Sequence, residues 1–158
     1  MDATDLRILG LLQDDASLTL AEVAAQVNLS PTPCWRRIAR LEASGVIERR
    51  VALVNAAKVG IDLTIFVTVE TDDHSEAWTK AFAEAVAAMP EVMETYRMAG
   101  EVDYLLKIAV PNIAAYDDFY RAITAAVPLK TITSMIAMET VKRTTAFPLA
   151  GAGQAARH

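Results

Sequence analysis

Five arginines fall within residues 30–50, namely Arg36, Arg37, Arg40, Arg49 and Arg50, against Glu42 and Glu48. A guanidinium is a fixed fork of N–H donors that can clamp a phosphate or pair bidentately with a guanine edge. The cluster is therefore a candidate nucleic-acid contact, although a charge run is also what a solvated helix face looks like. Trp35 stands among the arginines. It can lie against sugar-phosphate or pack on a neighbouring helix, and spacing does not choose between them.

A second group is Gly100-Glu101-Val102-Asp103-Tyr104. Read as a ligand cradle, Gly100 lets backbone amides approach a carboxylate and Asp103 accepts from an ammonium group. Read as an ordinary hairpin, glycine supplies the turn and aspartate its local hydrogen bonds. From spacing alone the hairpin is favoured.

Other chemistry is thin. His74 and His158 are far apart and lack metal-ligand spacing. There is no phosphate-binding glycine loop and no nucleophile elbow. Cys34 lies near a helix start beside arginines, which would favour a thiolate, but its position on an inward face favours a small core residue. Asp72-Asp73 and Asp117-Asp118 read as a loop pair and a solvated helix turn. No catalytic residue, metal or cofactor is expected.

These residues sit in a chain of 158, of which 53% are hydrophobic and 22% charged. That composition supports a real core and excludes a disordered or disulfide-stapled chain. A lone cysteine fits a reducing compartment, and no secretory signal pattern opens the chain. Apolar runs are a few residues long, whereas a membrane helix needs about 20. A cytoplasmic protein without a membrane partner is expected. The net charge of −5 hides an asymmetry: residues 1–60 hold seven Lys/Arg and seven Asp/Glu, and residues 61–158 hold eight and thirteen. Nucleic acid responds to local potential, so the net acidity decides little.

The first segment reads as three helices. Leu6, Ile8, Leu9 and Leu12 give helical spacing over 5–13. Thr19 and Glu22 form a capping box for the second. Ser30 with Pro31 opens the third, which runs to residue 44 and stops at Gly45. Cys34, Ile38 and Leu41 share its inward face, and the arginines fall largely on another. Two helices joined by a tight turn, after a packing helix, make a helix-turn-helix. Residues 46–54 read as extended.

Beyond residue 62 the pattern changes. Strands are expected at 63–70, 92–99, 104–110 and 131–139, with helices at 75–89 and 113–127. The order β-α-β-β-α-β is ferredoxin-like. Its helices cover one sheet face, and the apolar character of the other calls for a partner copy. The fold class is therefore α+β. The expected organisation is 1–50 for DNA binding, an extended linker strand at 51–62, 63–145 for effector binding and oligomerisation, and a flexible tail at 146–158.

The run Leu29-Ser30-Pro31-Thr32-Pro33-Cys34-Trp35-Arg36-Arg37, with Arg40-Leu41-Glu42 and Gly45-Val46-Ile47, resembles the Lrp/AsnC (feast/famine) family of transcription regulators. So do Met89-Pro90-Glu91-Val92, Gly100-Glu101-Val102-Asp103-Tyr104-Leu105-Leu106-Lys107, and Met138-Glu139 with Val141-Lys142. Thr32-Pro33-Cys34-Trp35, Tyr96-Arg97-Met98-Ala99-Gly100 and Thr144-Thr145-Ala146-Phe147-Pro148-Leu149 are similar to a DecR-like, cysteine-responsive subgroup.

The resemblance implies a winged-type helix-turn-helix joined to an amino-acid-sensing ferredoxin-like domain. It implies a homodimer through the sheets, assembling to a tetramer of dimers (an octamer), with an amino-acid effector, cysteine for the subgroup, bound between dimers. The effector neighbourhood would include Met98, Gly100, Asp103 and Tyr104, and Ser134, Ile136 and Ala137 on the last strand. Ser30, Thr32, Pro33, Trp35, Arg36, Arg37 and Arg40 would lie at or near double-stranded DNA. The expected function is a sequence-specific, amino-acid-responsive regulator. An architectural DNA-wrapping protein without effector response and a ligand-binding allosteric module are the alternatives.

Overall fold

Asp2 and Asp5 set where the chain first becomes regular. The Asp2 side chain accepts from the Asp5 backbone N–H, and Asp5 returns the bond to the Asp2 backbone N–H. This capping box starts α1 at Ala3–Asp14 in the computed structural model, which describes residues 1–149. The helix therefore begins before residue 5, because the first aspartate caps it rather than preceding it. The described chain divides into two compact units, one holding Met1–Leu53 with residues 142–149, the other holding Val54–Val141.

The first unit is helical. Thr19 and Glu22 cap α2 (Leu20–Gln26) in the reciprocal arrangement expected. Asn28 turns the chain with φ 57°, a left-handed conformation that asparagine tolerates better than most side chains. The next helix, α3, spans Pro31–Ala43, and Gly45 follows it at φ 73°. Ile8 and Leu9 of α1, Val23 and Ala24 of α2, and Cys34, Ile38 and Leu41 of α3 close the core. Burial pushes the Cys34 thiol up, so it is a core residue rather than a reactive thiolate.

Two expectations are corrected here. The linker expected as one extended strand over 51–62 is not continuous: it is interrupted by a 3-10 turn at Ala57–Val59 and forms no ladder within the chain, with Val51, Leu53 and Val54 exposed. A strand ladder needs a neighbouring strand, and among the described residues none pairs with this segment, whose exposed backbone groups are left to water or to the 3-10 turn. The flexible tail at 146–158 is docked where it is described. The Gln13 side chain accepts from the Phe147 backbone N–H at 2.9 Å and donates to its carbonyl at 3.3 Å, while Leu149 packs on the helical core. The rest of that tail, 150–158, lies outside the described residues.

The second unit is a four-stranded antiparallel sheet in the order β2-β3-β1-β4, with β1 at Leu63–Glu70, β2 at Val92–Arg97, β3 at Tyr104–Val110 and β4 at Thr131–Ile136. β2 and β4 stop short of the expected 99 and 139. Period-2 alternation sends Ile65, Val67, Val69, Leu106, Ile108 and Val110 to one face. There they meet Trp78 and Phe82 of α4 (Glu76–Ala88) and Phe119 and Ile123 of α5 (Ile113–Ala126). The Trp78 and Phe82 rings stack at 5.1 Å, and Trp78 Nε1 donates to the Pro128 carbonyl at 2.8 Å. The register puts Phe66, Lys107 and Met135 side by side on the opposite face, which no helix of this unit covers. Lys107 Nζ reaches Glu94 Oε1 at 2.7 Å there.

Candidate nucleic-acid interface and ligand turn

α3 presents an exposed first turn. Ser30, Pro31, Thr32 and Pro33 all face solvent, and the Ser30 hydroxyl makes no capping bond. Pro31 and Pro33 lack N–H groups, so the helix start offers few backbone donors to an anion. Recognition at this end must come from side chains. Trp35 is neither fully packed nor fully free. It is 58% exposed, yet it lines a shallow concavity with Leu12, Leu20 and Ile38.

The five arginines do not act as one free patch, which corrects the local excess of positive charge read from 30–50. Arg37 Nη1 donates to Asp2 Oδ2 at 2.7 Å and Asp5 Oδ1 at 2.8 Å. Arg40 Nη2 donates to both oxygens of Asp5, at 2.9 and 3.0 Å. Arg50 pairs with Glu42 at 2.9 Å. Among the described residues Arg36 and Arg49 have no ion-pair partner. The Asp5 side chain is 1% exposed. Burial pushes its carboxyl up, but the Asp2 backbone N–H and the Arg37 guanidinium outweigh that, and it titrates below the usual aspartate range. The Asp5 backbone N–H and Arg37 hold Asp2 low as well. Asp2 and Asp5, which hold Arg37 and Arg40, are not among the candidate residues read from the sequence. Their pairing with arginines more than 30 residues along the chain depends on how α1 packs on α3, which local spacing does not carry.

The ligand turn is tied to the end of β1. The Asp103 backbone N–H donates to the Val69 carbonyl at 3.0 Å, and its carbonyl accepts from the Met98 N–H at 2.8 Å. Asp103 Oδ2 accepts from the Thr71 N–H at 2.8 Å. His74 Nδ1 lies 3.9 Å from Oδ1, beyond hydrogen-bonding distance. One oxygen thus serves the turn, and the other has no hydrogen-bond partner among the described residues. Met98 and Gly100 are exposed beside it. Tyr104 is placed differently: it is 8% exposed and its ring packs on Phe82 at 4.5 Å, so its side chain belongs to the core.

Ser134, Ile136 and Ala137 are not brought to this turn within one chain. Tyr104 pairs with Val69 and Val69 with Ile132, whereas Ile136 pairs with Ile65 and Ile65 with Ile108. The turn and Ile136 therefore lie at opposite ends of the sheet, about 13 Å apart along the strands and two strand spacings across. Ser134 lies between, its hydroxyl engaged with Tyr116 Oη.

Among the described residues no group of three or more His, Cys, Asp and Glu is placed to hold a metal ion, and no helix is long and apolar enough to cross a membrane. Residues 1–48 match a winged helix-turn-helix DNA-binding family, and residues 64–147 match the Lrp/AsnC ligand binding domain. The chain belongs to the Lrp/AsnC family. It is 44% identical over 150 residues to the DNA-binding transcriptional activator DecR of Escherichia coli (strain K12), covering 94% of this chain and 99% of that one. A solved AsnC family transcriptional regulator from Agrobacterium tumefaciens superposes with TM-score 0.92 at 50% identity, covering 95% of this chain and 98% of the other. A Neisseria meningitidis transcriptional regulator solved as its L-Met complex gives TM-score 0.90 at 31% identity, covering 94% and 97%. An Lrp/AsnC chain is a DNA-binding transcription regulator with an amino-acid ligand-binding domain, and both modules are present here in that order.

Proposed function

We propose that this chain is a sequence-specific regulator whose DNA binding or assembly responds to an amino acid, and that it acts by binding rather than by catalysis. One observation carries the reading: a single chain joins a helix with an exposed polar first turn and a free Arg36 to a ligand-binding domain whose turn keeps one Asp103 oxygen open. Residues 1–50 hold the DNA-binding function and 63–145 the effector and assembly functions. Ser30, Thr32, Pro33, Trp35 and Arg36 face the duplex, with Arg37 and Arg40 at the edge of the contact.

Assembly follows from the sheet. Phe66, Leu105 and Met135 on the uncovered face are an apolar surface suited to a second copy. The dimer reads a pseudo-palindrome with half-sites spaced by whole helical turns, and dimers assemble further into an octamer that bends DNA. Because the Asp103 turn and Ile136–Ala137 are at opposite ends of one sheet, two copies are needed to bring them to a common ligand. The effector acts through its differential affinity for the assemblies it joins. Cysteine is the first candidate effector, and the compartment is the cytoplasm.

The test is DNA binding to duplexes from upstream of the protein's own and neighbouring genes, against a scrambled duplex at the same salt. A ratio of specific to non-specific affinity well above one supports the reading. A ratio near one replaces it with an architectural DNA-wrapping protein.

A further inference from the structure

The Asp5 carboxylate has more partners than a helix cap requires. Oδ2 accepts from the Asp2 backbone N–H at 2.9 Å, which completes the cap. Both oxygens then also accept from Arg40, and Oδ1 from Arg37. Asp2 takes the same Arg37 Nη1 from the solvent side. Two carboxylates thus meet two guanidiniums, so the cluster is close to neutral. Arg36, one residue before Arg37, is exposed and outside it.

We propose that Asp5 is a positioning residue for DNA recognition: it retains Arg37 and Arg40 on α1 and leaves Arg36 as the guanidinium of α3 that DNA can use in full. This rests on the DNA-binding reading above. A phosphate at the surface would have to strip the arginines from a desolvated carboxylate and leave that charge buried alone, which is strongly unfavourable. Arg37 therefore stays on the two aspartates. Arg40, with a 62% exposed side chain, is held through Nη2 and has only its remaining donors to offer.

The consequence is selectivity. Phosphate neutralisation supplies nearly all non-specific affinity, whereas base contacts supply discrimination. Withholding two guanidiniums from the phosphates weakens binding to any duplex more than it weakens binding to the operator. Asp5 also fixes the seating of α3 on α1, because Arg37 and Arg40 project from one side of α3 onto the start of α1.

The experiment compares wild type, D5N and D2N as full-length chains, measuring affinity for a scrambled duplex and for the operator against salt. Asn at position 5 keeps the size and an acceptor but removes the charge. For D5N the slope of log K against log salt on the scrambled duplex steepens by about 1 to 2, since each added phosphate contact contributes about 0.9. Its non-specific affinity rises several-fold and its specific-to-non-specific ratio falls. D2N, at an exposed position, moves in the same direction by less. A purely structural role would lower both affinities and leave the slope alone. Circular dichroism checks that each variant is folded, and D2N carries the test if D5N is not. Unchanged slopes in the folded variants, with wild type binding normally, overturn the role of Asp5. Failure of wild type to bind any duplex at low salt overturns the DNA reading and this role with it.

Discussion

Arg36 and Arg37 are neighbours in sequence and opposites in environment, so truncating each should have a different consequence. Arg36 is exposed and has no ion-pair partner among the described residues, whereas Arg37 is 27% exposed on its side chain and bonded to Asp2 and Asp5. Arg36→Ala removes one guanidinium from the DNA contact. If it reaches a guanine edge, the loss is about 1–3 kcal/mol, or roughly five- to 150-fold in affinity. If it neutralises a phosphate, the salt slope falls by about 0.9. Folding stability should stay within about 0.5 kcal/mol, as for surface substitutions generally. Arg37→Ala leaves Asp5 buried with Arg40 alone, so the Tm of the helical unit falls while the salt slope hardly moves. The assay is fluorescence anisotropy on the operator across a salt series, beside a thermal melt of each variant. The reasoning is refuted if Arg36→Ala leaves affinity and slope unchanged while Arg37→Ala abolishes binding without lowering the Tm.

Further consequences follow from other parts of the molecule. Phe82→Ala, at a fully buried ring stacked on Trp78, should cost about 3–5 kcal/mol in urea unfolding. Phe66→Asp, on the uncovered sheet face, should shift the assembly toward monomer in light scattering without unfolding the sheet, and an unchanged mass would remove that face from the interface. Asp103→Asn should weaken amino-acid binding at least tenfold by calorimetry, because the free Oδ1 loses its charge. Acid should loosen the helical unit. The folded Asp2 and Asp5 carboxyls titrate below the ordinary value of 3.8, so their stabilisation is complete above it and is lost as pH falls through the lower folded values. D5N should flatten that acid limb, and an identical pH profile would contradict the role of the carboxylate.

Local signals in the sequence translated directly into structure. The alternating run at Leu63–Glu70 is β1 as expected, and the capping box Thr19–Glu22 and the helix-start pair Ser30-Pro31 open their helices where the residues say. The capping box rests on reciprocal bonds three residues apart and the helix-start pair on the fixed φ of Pro31, since the Ser30 hydroxyl makes no capping bond. What stayed hidden is tertiary. Asp5 and Arg40 are 35 residues apart, and only the packing of α1 on α3 brings them together. Tyr104 carries the pattern of a ligand-turn residue, yet strand alternation sends its ring to the Phe82 side. Residues 51–54 have strand-like composition, but among the described residues no strand pairs with them, so no ladder forms there. The strand register puts the two parts of the expected effector neighbourhood at opposite ends of one sheet, a separation no residue spacing shows.

Effector-responsive DNA binding is tested most directly by anisotropy of the protein on its operator at fixed salt, with each of the twenty amino acids added in turn, cysteine included. One or a few amino acids should shift the midpoint, and Asp103→Asn should abolish the shift without altering binding in their absence. Tight, specific DNA binding that none of the twenty displaces or strengthens would contradict regulation by an amino acid.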